Sequence, residues 1–458
     1  MYLFFAFIIF VIIYFYHKRT TKFRAFNSFP GPPGLPVIGN ILDLGSNTAE
    51  VLSNLQKYQK IYGDVYKLWV GPLFPTLVIC DARNLETILS STIHIKKSTS
   101  YLIFNSFLGD GLITNIGNEK WRKHRKLLTP AFHFKILERF LHKFDALGGT
   151  LLQKLDEHAD DNGFDVFPYI TRYTLDVICE TSMGLQLNVQ HNPDHIYLKN
   201  LVEYEHKFTM RQFSLIEKHK QWEIRKQNNE KSDAKEPFLD LLFRVWDNAE
   251  ISMEEIREEL DTFMFAGHDT TATTISFCLF ELAKHQDVQH KILEEVHEII
   301  GEDNDQFTVS NLSNLKYLDT VVKEVMRIYT TVPLIERAVA DHLEIDGKVI
   351  PIGTTLLLFF YGLHNSEQNY TDAKKFDPSR FSSENTVNRD PFSYVPFSAG
   401  ARNCIGQRFA LLEVKASLVK IIKNFILLPV EPEHKLQLAA NTILKSLNGV
   451  PIRIKRRN

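Results

Sequence analysis

The sequence predicts a mainly α fold with minor β, preceded by an N-terminal single-pass membrane anchor. Three observations carry this. From about residue 120 to 330, apolar side chains recur at three- and four-residue spacing, the period of a helix. Strand-like runs rich in β-branched and aromatic residues lie near the two ends of the body. The first sixteen residues, Met1 to Tyr16, are an uninterrupted apolar and aromatic run.

That first run, taken with His17, defines an anchor over 1–17. Sixteen helical residues span about 24 Å, a little less than a hydrocarbon core of about 30 Å. Lys18 and Arg19 can snorkel to close the gap, and Tyr14 and Tyr16 suit the interface. A cleaved signal peptide would need a basic n-region and a small-residue cleavage site, and neither is present. The basic cluster Lys18, Arg19, Lys22 and Arg24 predicts a cytoplasmic body. The sequons at Asn311 and Asn369 would then go unglycosylated. No acid-poor, Arg-rich amphipathic presequence points to a mitochondrion.

Residues 18–36 read as a basic and proline-rich linker. In Phe29-Pro30-Gly31-Pro32-Pro33-Gly34-Leu35-Pro36 proline forbids a helix, so the segment reads as a semi-rigid spacer. The body, 37–458, begins with a hairpin signal. Tyr66 to Val70 and Thr76 to Cys80 alternate around Gly71-Pro72. After the helical stretch, strand signals return at Leu343 to Ile350 and Thr354 to Phe360. A last long helix is predicted from Gln407 to Asn424, and a short β tail ends at Ile454. Lys218 to Glu236 is charge-rich and reads as a solvated helix end and loop. There is no internal repeat.

The bulk composition constrains less. At 458 residues the chain exceeds the usual limit of about 250–300 residues for one core. A net charge of −2 gives no reason to expect a nucleic-acid partner. Four cysteines, Cys80, Cys179, Cys278 and Cys404, make neither a disulfide framework nor a zinc pattern, so a reducing compartment is expected.

Four groups of residues point to chemistry. Cys404 sits in Phe397-Ser398-Ala399-Gly400-Ala401-Arg402-Asn403-Cys404-Ile405-Gly406, just before the last helix. A lone cysteine is ordinarily a small core hydrophobe. Here Gly400 and Gly406 allow close approach of a flat cofactor, and a helix N-terminus lowers a thiol pKa. A thiolate so placed suits axial ligation of haem iron, where it favours O–O cleavage. Arg402 can pair with a haem propionate. In the run Asp261 to Thr274, Ala266-Gly267 leaves room on one helix face. Thr270 can hydrogen-bond dioxygen and Asp269 can feed protons, or both simply satisfy backbone. Glu324 and Arg327 share a helix face, and Arg380 is a candidate third partner. Trp121 and Arg125 also share a face. They either reach a propionate or belong to a basic surface that docks an acidic redox partner.

These four pieces, in this order, resemble a cytochrome P-450 across essentially the whole chain. The cysteine loop matches the family's haem signature, Phe-x-x-Gly-x-Arg-x-Cys-x-Gly, at each fixed position. Ala266-Gly267-x-Asp269-Thr270 resembles its oxygen-activation motif, Glu324-x-x-Arg327 with Arg380 its structural triad, and Trp121-x-x-x-Arg125 its propionate-binding helix. The resemblance implies the P-450 fold and a haem-thiolate monooxygenase that inserts one oxygen atom into a C–H bond. Its cofactor would be haem b, with dioxygen as co-substrate and Cys404 as the metal ligand. Asp269 and Thr270 would be catalytic. Trp121, Arg125, Ala266, Gly267, Arg337, Phe397, Gly400, Arg402 and Gly406 would contact the cofactor. Electrons would come from NADPH through NADPH–cytochrome P-450 reductase, with cytochrome b5 as a further partner. The anchor matches the microsomal members, so the expected place is the endoplasmic reticulum membrane, facing the cytoplasm.

The run Glu259 to Thr271 resembles the marker of family 4, the fatty-acid ω-hydroxylase group, as do Leu128 to Phe134 and Pro396 to Gly400. Fatty acids or related lipids are therefore the expected lipophilic substrates. Two departures stand out. Many family-4 members carry a glutamate, able to esterify a haem methyl, where this chain has Ala266. The region between Gly184 and Phe238 is also several tens of residues short of the family pattern, which predicts a shortened substrate lid near 205–220. A haem-binding but catalytically impaired protein is therefore a second reading. A haem-thiolate isomerase is a third, disfavoured by the intact Asp269-Thr270 pair.

Overall fold

A computed structural model describes residues 23–458 except 72–73, 133, 196–237, 249, 303–306 and 458, with scattered positions among the first 22. Most of the predicted anchor, the expected lid near 205–220 and the charged stretch Lys218 to Glu236 lie outside the described residues. Among the described residues no helix is long and apolar enough to cross a membrane. Phe7, Phe10 and Ile13, described within the anchor run, are helical and exposed.

In chain order, the elements that build the site begin with helix α1 (Thr48–Tyr62), strands β1 (Val65–Trp69) and β2 (Pro75–Ile79), and helix α2 (Ala82–Leu89). Helices α3 (Glu119–Leu128) and α4 (Phe134–Asp156), strand β3 (Phe164–Asp165) and helix α5 (Phe167–Ile178) follow. Then come helices α6 (Met253–Lys284), α7 (Gln286–Ile299) and α8 (Lys316–Ile328), and strand β4 (Ile335–Ala338). Next are strands β5 (Glu344–Ile345), β6 (Lys348–Val349) and β7 (Thr355–Leu358), then helices α9 (Phe360–His364) and α10 (Gln407–Asn424). Strands β8 (Phe425–Leu428), β9 (Leu438–Ala440), β10 (Leu444–Ser446) and β11 (Pro451–Arg456) complete the chain. The predicted hairpin, last helix and β tail are all present.

The packing divides the chain into two compact units, each discontinuous in sequence. One comprises Met1–Ser100, Lys323–Cys404 and Leu436–Asn448; the other comprises Tyr101–Val322, Ile405–Lys435 and Gly449–Asn458.

The first unit is built on a four-stranded sheet of order β1-β2-β7-β4. Strands β2 and β7 are parallel and the other neighbours antiparallel. Its core gathers Leu77 and Ile79 of β2, Leu356 and Leu358 of β7, Leu85, Ile88 and Leu89 of α2, and Val395. Residues 23–29, within the 18–36 linker, pack against the body. Phe23, Phe26 and Phe29 are buried in the same core, and Phe23 and Phe26 both stand edge-on to Trp69, centroids 5.4 and 5.2 Å away. The Lys67 backbone N–H donates to the Pro30 carbonyl at 2.8 Å, and the Lys67 ammonium donates to Phe29 O at 2.6 Å. Proline stops a helix here without stopping the flanking aromatics from packing.

The second unit is helical around α6, which packs on α5 and α10. A capping box starts α6: Ser252 accepts from the Glu255 N–H, and the Glu255 carboxylate accepts from the Ser252 N–H. A small sheet of order β3-β11-β8 closes this unit.

Phe26→Ala tests the packing of residues 23–29. Emptying this site costs about 3–5 kcal/mol, read as a lowered denaturant midpoint. A free spacer would leave the midpoint unchanged.

Candidate active site

The predicted site residues divide between the two units. In the first, Cys404 is exposed, while Cys80, Cys179 and Cys278 are buried. Its loop is held in shape by backbone bonds. Cys404 N–H donates to Phe397 O at 2.9 Å, Ser398 N–H to Val395 O at 2.9 Å, and Asn403 N–H to Gly400 O at 3.1 Å. Ser398 and Gly400 take left-handed φ values of 56° and 69°. At Gly400 a Cβ would stand 1.8 Å from the Leu89 carbonyl oxygen, so only glycine lets the loop close on the end of α2.

Beside this loop the structure adds a residue that the motifs did not include. Ala338 N–H donates to Lys96 O at 2.8 Å, which runs residues 96–98 along β4. Lys97 is thereby buried with Arg337 of β4, also buried, and Arg402 near. Burial first, then the Arg337 and Arg402 charges, hold the Lys97 ammonium well below its usual range, with Glu336 opposing them. Glu336 itself is engaged by the Ser98 and Ser100 hydroxyls. Lys97, Arg337 and Arg402, gathered beside Glu336, form a cluster that added negative charge would stabilise, favouring the charged form of Lys97. A haem, with two propionates, supplies that charge, so these residues and the exposed thiol fit the group. Lys97 was invisible to spacing because its partners lie about 240 and 305 residues away along the chain.

The same unit contains the predicted triad. The Glu324 and Arg327 side chains have 0% exposure and form two hydrogen bonds of 2.8 Å. Arg380 approaches Glu324 at 3.3 Å. Arg327 also donates to His364 O at 2.9 Å, and Glu324 accepts from Asp377 N–H at 3.0 Å. A buried pair of this kind is tolerable because its remaining donors and acceptors are met.

In the second unit, Asn118 caps α3 by accepting from Trp121 N–H at 3.1 Å, which sets the buried Trp121 in the first turn. Arg125, one turn on, is half-buried. The basic surface reading of α3 needs revision, since part of the helix faces the acidic start of α6. Lys120 pairs with Glu258 at 2.9 Å, and His124 Nδ1 with Glu259 at 2.8 Å. Glu258 and Glu259 also accept from the Asp110 and Leu112 N–H groups. Burial pushes the Glu259 carboxyl up, and its bond to His124 works against that.

Further along α6, Phe265, Ala266, Gly267 and Thr270 keep partial solvent contact in an otherwise buried run. Ala266 and Thr270, four apart, share one face. The Thr270 hydroxyl donates to Ala266 O at 2.7 Å, the backbone role weighed from the sequence. Asp269 is buried. The smallness of Gly267 serves packing as well, since a Cβ there would meet the Ile178 side chain of α5 at 2.7 Å. Gly406 starts α10 by accepting from Ala410 N–H at 2.9 Å.

The family model described as "Cytochrome P450" matches residues 29–218 and 205–449. The chain is 35% identical to mouse "Cytochrome P450 4V2", over 95% of this chain and 91% of that protein. It is 35% identical to Drosophila melanogaster "Cytochrome P450 4d2", over 93% and 94%. It is also 35% identical to "Cytochrome P450 4e2" of the same fly, over all of this chain and 99% of that protein. This last alignment spans 527 positions against a chain of 458, so the relative carries residues that this chain lacks.

Replacing Arg327 by methionine leaves Glu324 buried beside Arg380 alone. The expected loss is about 3–5 kcal/mol, measured as a shift in urea midpoint. A change under about 1 kcal/mol, typical of a surface pair, would contradict the buried network.

Proposed function

The chain belongs to the cytochrome P450 family, and from that premise we propose that it hydroxylates fatty acids or related long-chain lipids while anchored in the endoplasmic reticulum membrane. As a P450 it is a haem-thiolate monooxygenase, fed by NADPH-derived electrons through a reductase. When bound, the haem iron supplies dioxygen activation, aided by electron release from its thiolate ligand.

The observation that carries the assignment of residues is the exposed Cys404 in a constrained loop beside Lys97, Arg337 and Arg402. In this reading Cys404 is the axial ligand. Lys97, Arg337 and Arg402, with Trp121 and Arg125, hold the propionates by charge and by N–H donation. Phe397, Gly400 and Gly406 shape the thiolate side. Ala266 and Gly267 leave space along α6. Asp269 and the Thr270 hydroxyl relay protons inward, the hydroxyl once it turns from Ala266 O.

The substrate class rests on the family-4 resemblance of the Glu259 to Thr271 run and on family-4 relatives. The membrane reading rests on the apolar 1–17 run and the basic residues after it. Cytochrome b5 is a second electron donor in this scheme. The second reading, a haem-binding protein with impaired turnover, is favoured by one observation. The two matched segments of the family model meet at 205–218, where the lid is expected to be short.

One reconstitution separates these readings. With purified reductase, NADPH and dodecanoic acid, the account expects a substrate-induced spin shift and NADPH-dependent hydroxylated product. Asp269→Asn lowers product formation by about 100-fold with the spin shift retained. Haem loading with neither spin shift nor product would establish the impaired protein instead. Ala266 has no carboxylate to esterify the cofactor, so acid-acetone extraction removes the haem completely. Haem left on the protein would contradict this.

A further inference from the structure

His364 lies at the end of α9, fully buried. Phe360 stacks on its ring with centroids 6.5 Å apart, and Tyr394 lies tilted at 5.3 Å. Both ring nitrogens are engaged. The Val395 backbone N–H donates to Nε2 at 2.9 Å. A backbone N–H can only donate, so Nε2 carries the lone pair and Nδ1 the hydrogen. Nδ1 then donates to the Thr330 hydroxyl at 2.9 Å, and that hydroxyl donates to Arg327 O at 3.1 Å.

On the other side of Val395 the series continues. Val395 O accepts from Ser398 N–H, and Phe397 O accepts from Cys404 N–H, each at 2.9 Å. One line of hydrogen bonds therefore runs from the buried arginine to the backbone of the cysteine. His364 is the member of that line that changes from acceptor to donor when it takes up a proton. An imidazolium would set an Nε2–H against the Val395 N–H, and two donors cannot bond.

We propose that His364 is the positioning residue for Cys404: its unprotonated Nε2 fixes Val395 and the loop beyond it, and protonation releases that loop. The inference rests on the reading of Cys404 as the axial thiolate. The charged and titratable groups around the ring are Arg327, with its partners Glu324 and Arg380, and Tyr370, over which the Arg327 guanidinium lies at 4.8 Å. Tyr394 comes from the loop side, and Tyr361 from the ring's own helix, where burial pushes its hydroxyl up to about 12. Burial, then the Arg327 charge, lowers the His364 pKa from 6.5 to about 3. The folded value is depressed below the unfolded one for a base. The neutral ring's contribution is therefore complete above pH 6.5 and is lost as the pH falls from 6.5 toward about 3.

The test compares the haem-loaded wild type with His364→Gln and His364→Leu between neutral pH and pH 3. Two readouts are taken: the red-shifted Soret band of the reduced, carbon-monoxide-bound protein, and amide hydrogen exchange at Val395 and Cys404. Glutamine can accept from Val395 N–H and does not titrate, so His364→Gln should keep the band at acid pH where the wild type loses it. His364→Leu should raise exchange at both amides by about tenfold or more at neutral pH. Wild-type acid behaviour in His364→Gln, or unchanged exchange in His364→Leu, overturns the proposal. If the leucine variant fails to fold by circular dichroism, the glutamine profile alone decides. Amide exchange does not involve the haem. A wild type lacking the shifted band at neutral pH would thus overturn the thiolate reading, while exchange at Val395 still decides the role of His364.

Discussion

The pairing of Arg327 with Glu324 away from all water is the constraint on which the site's first unit depends. Two charges removed from solvent are tolerable only while each remaining donor and acceptor is met. That requirement reaches outward. Arg327 draws in the His364 and Lys375 carbonyls, and Glu324 draws in Arg380 and the Asp377 N–H. Segments from 324 to 380 are thereby fixed to one another. Through Thr330, His364 and Val395 the same network extends to the loop that presents Cys404. The loop's left-handed turn at Ser398 needs such support, because a residue with a side chain does not favour it, whereas Gly400 takes the same region freely.

The second unit solves a different problem. Helix α6 must be both a buried packing element and a partly open polar surface. At its N-terminal end, Glu258 and Glu259 are used structurally, holding α3 and the 110–112 loop through Lys120, His124 and backbone N–H groups. This attaches the helix that carries Trp121 and Arg125. Two turns further on, the face at Ala266 and Thr270 is left partly open, while Gly267 lets Ile178 of α5 pack close on another side. A hydroxyl bonded to its own helix, as Thr270 is, can turn outward at the cost of about one hydrogen bond, roughly 0.5–1.5 kcal/mol.

Local features were legible in the sequence. The hairpin at 65–79 followed from alternation around Gly71-Pro72, and the last helix from an apolar period bounded by Gly406 and a strand. The cysteine loop and the Glu324–Arg327 spacing were legible because each is a short motif. What escaped was set by contacts between distant segments. Lys97 reads as one of two adjacent lysines until β4 pairing brings it beside Arg337. His364 reads as an ordinary histidine until Val395 is seen to donate to it. Phe23, Phe26 and Phe29 recur every third residue, but over too short a stretch to outweigh the prolines that follow, so the segment was not read as part of the core. Chain length implied more than one core, but the bounds of the two units were hidden, since each draws on three separate stretches of chain.

The measurement that tests the central claim most directly is the reduced, carbon-monoxide-bound difference spectrum of the full chain beside that of Cys404→Ala. The account predicts a strongly red-shifted Soret band in the parent chain and its loss in the variant. A shifted band that survives in Cys404→Ala, or an unshifted band in the parent chain, would contradict thiolate ligation by Cys404.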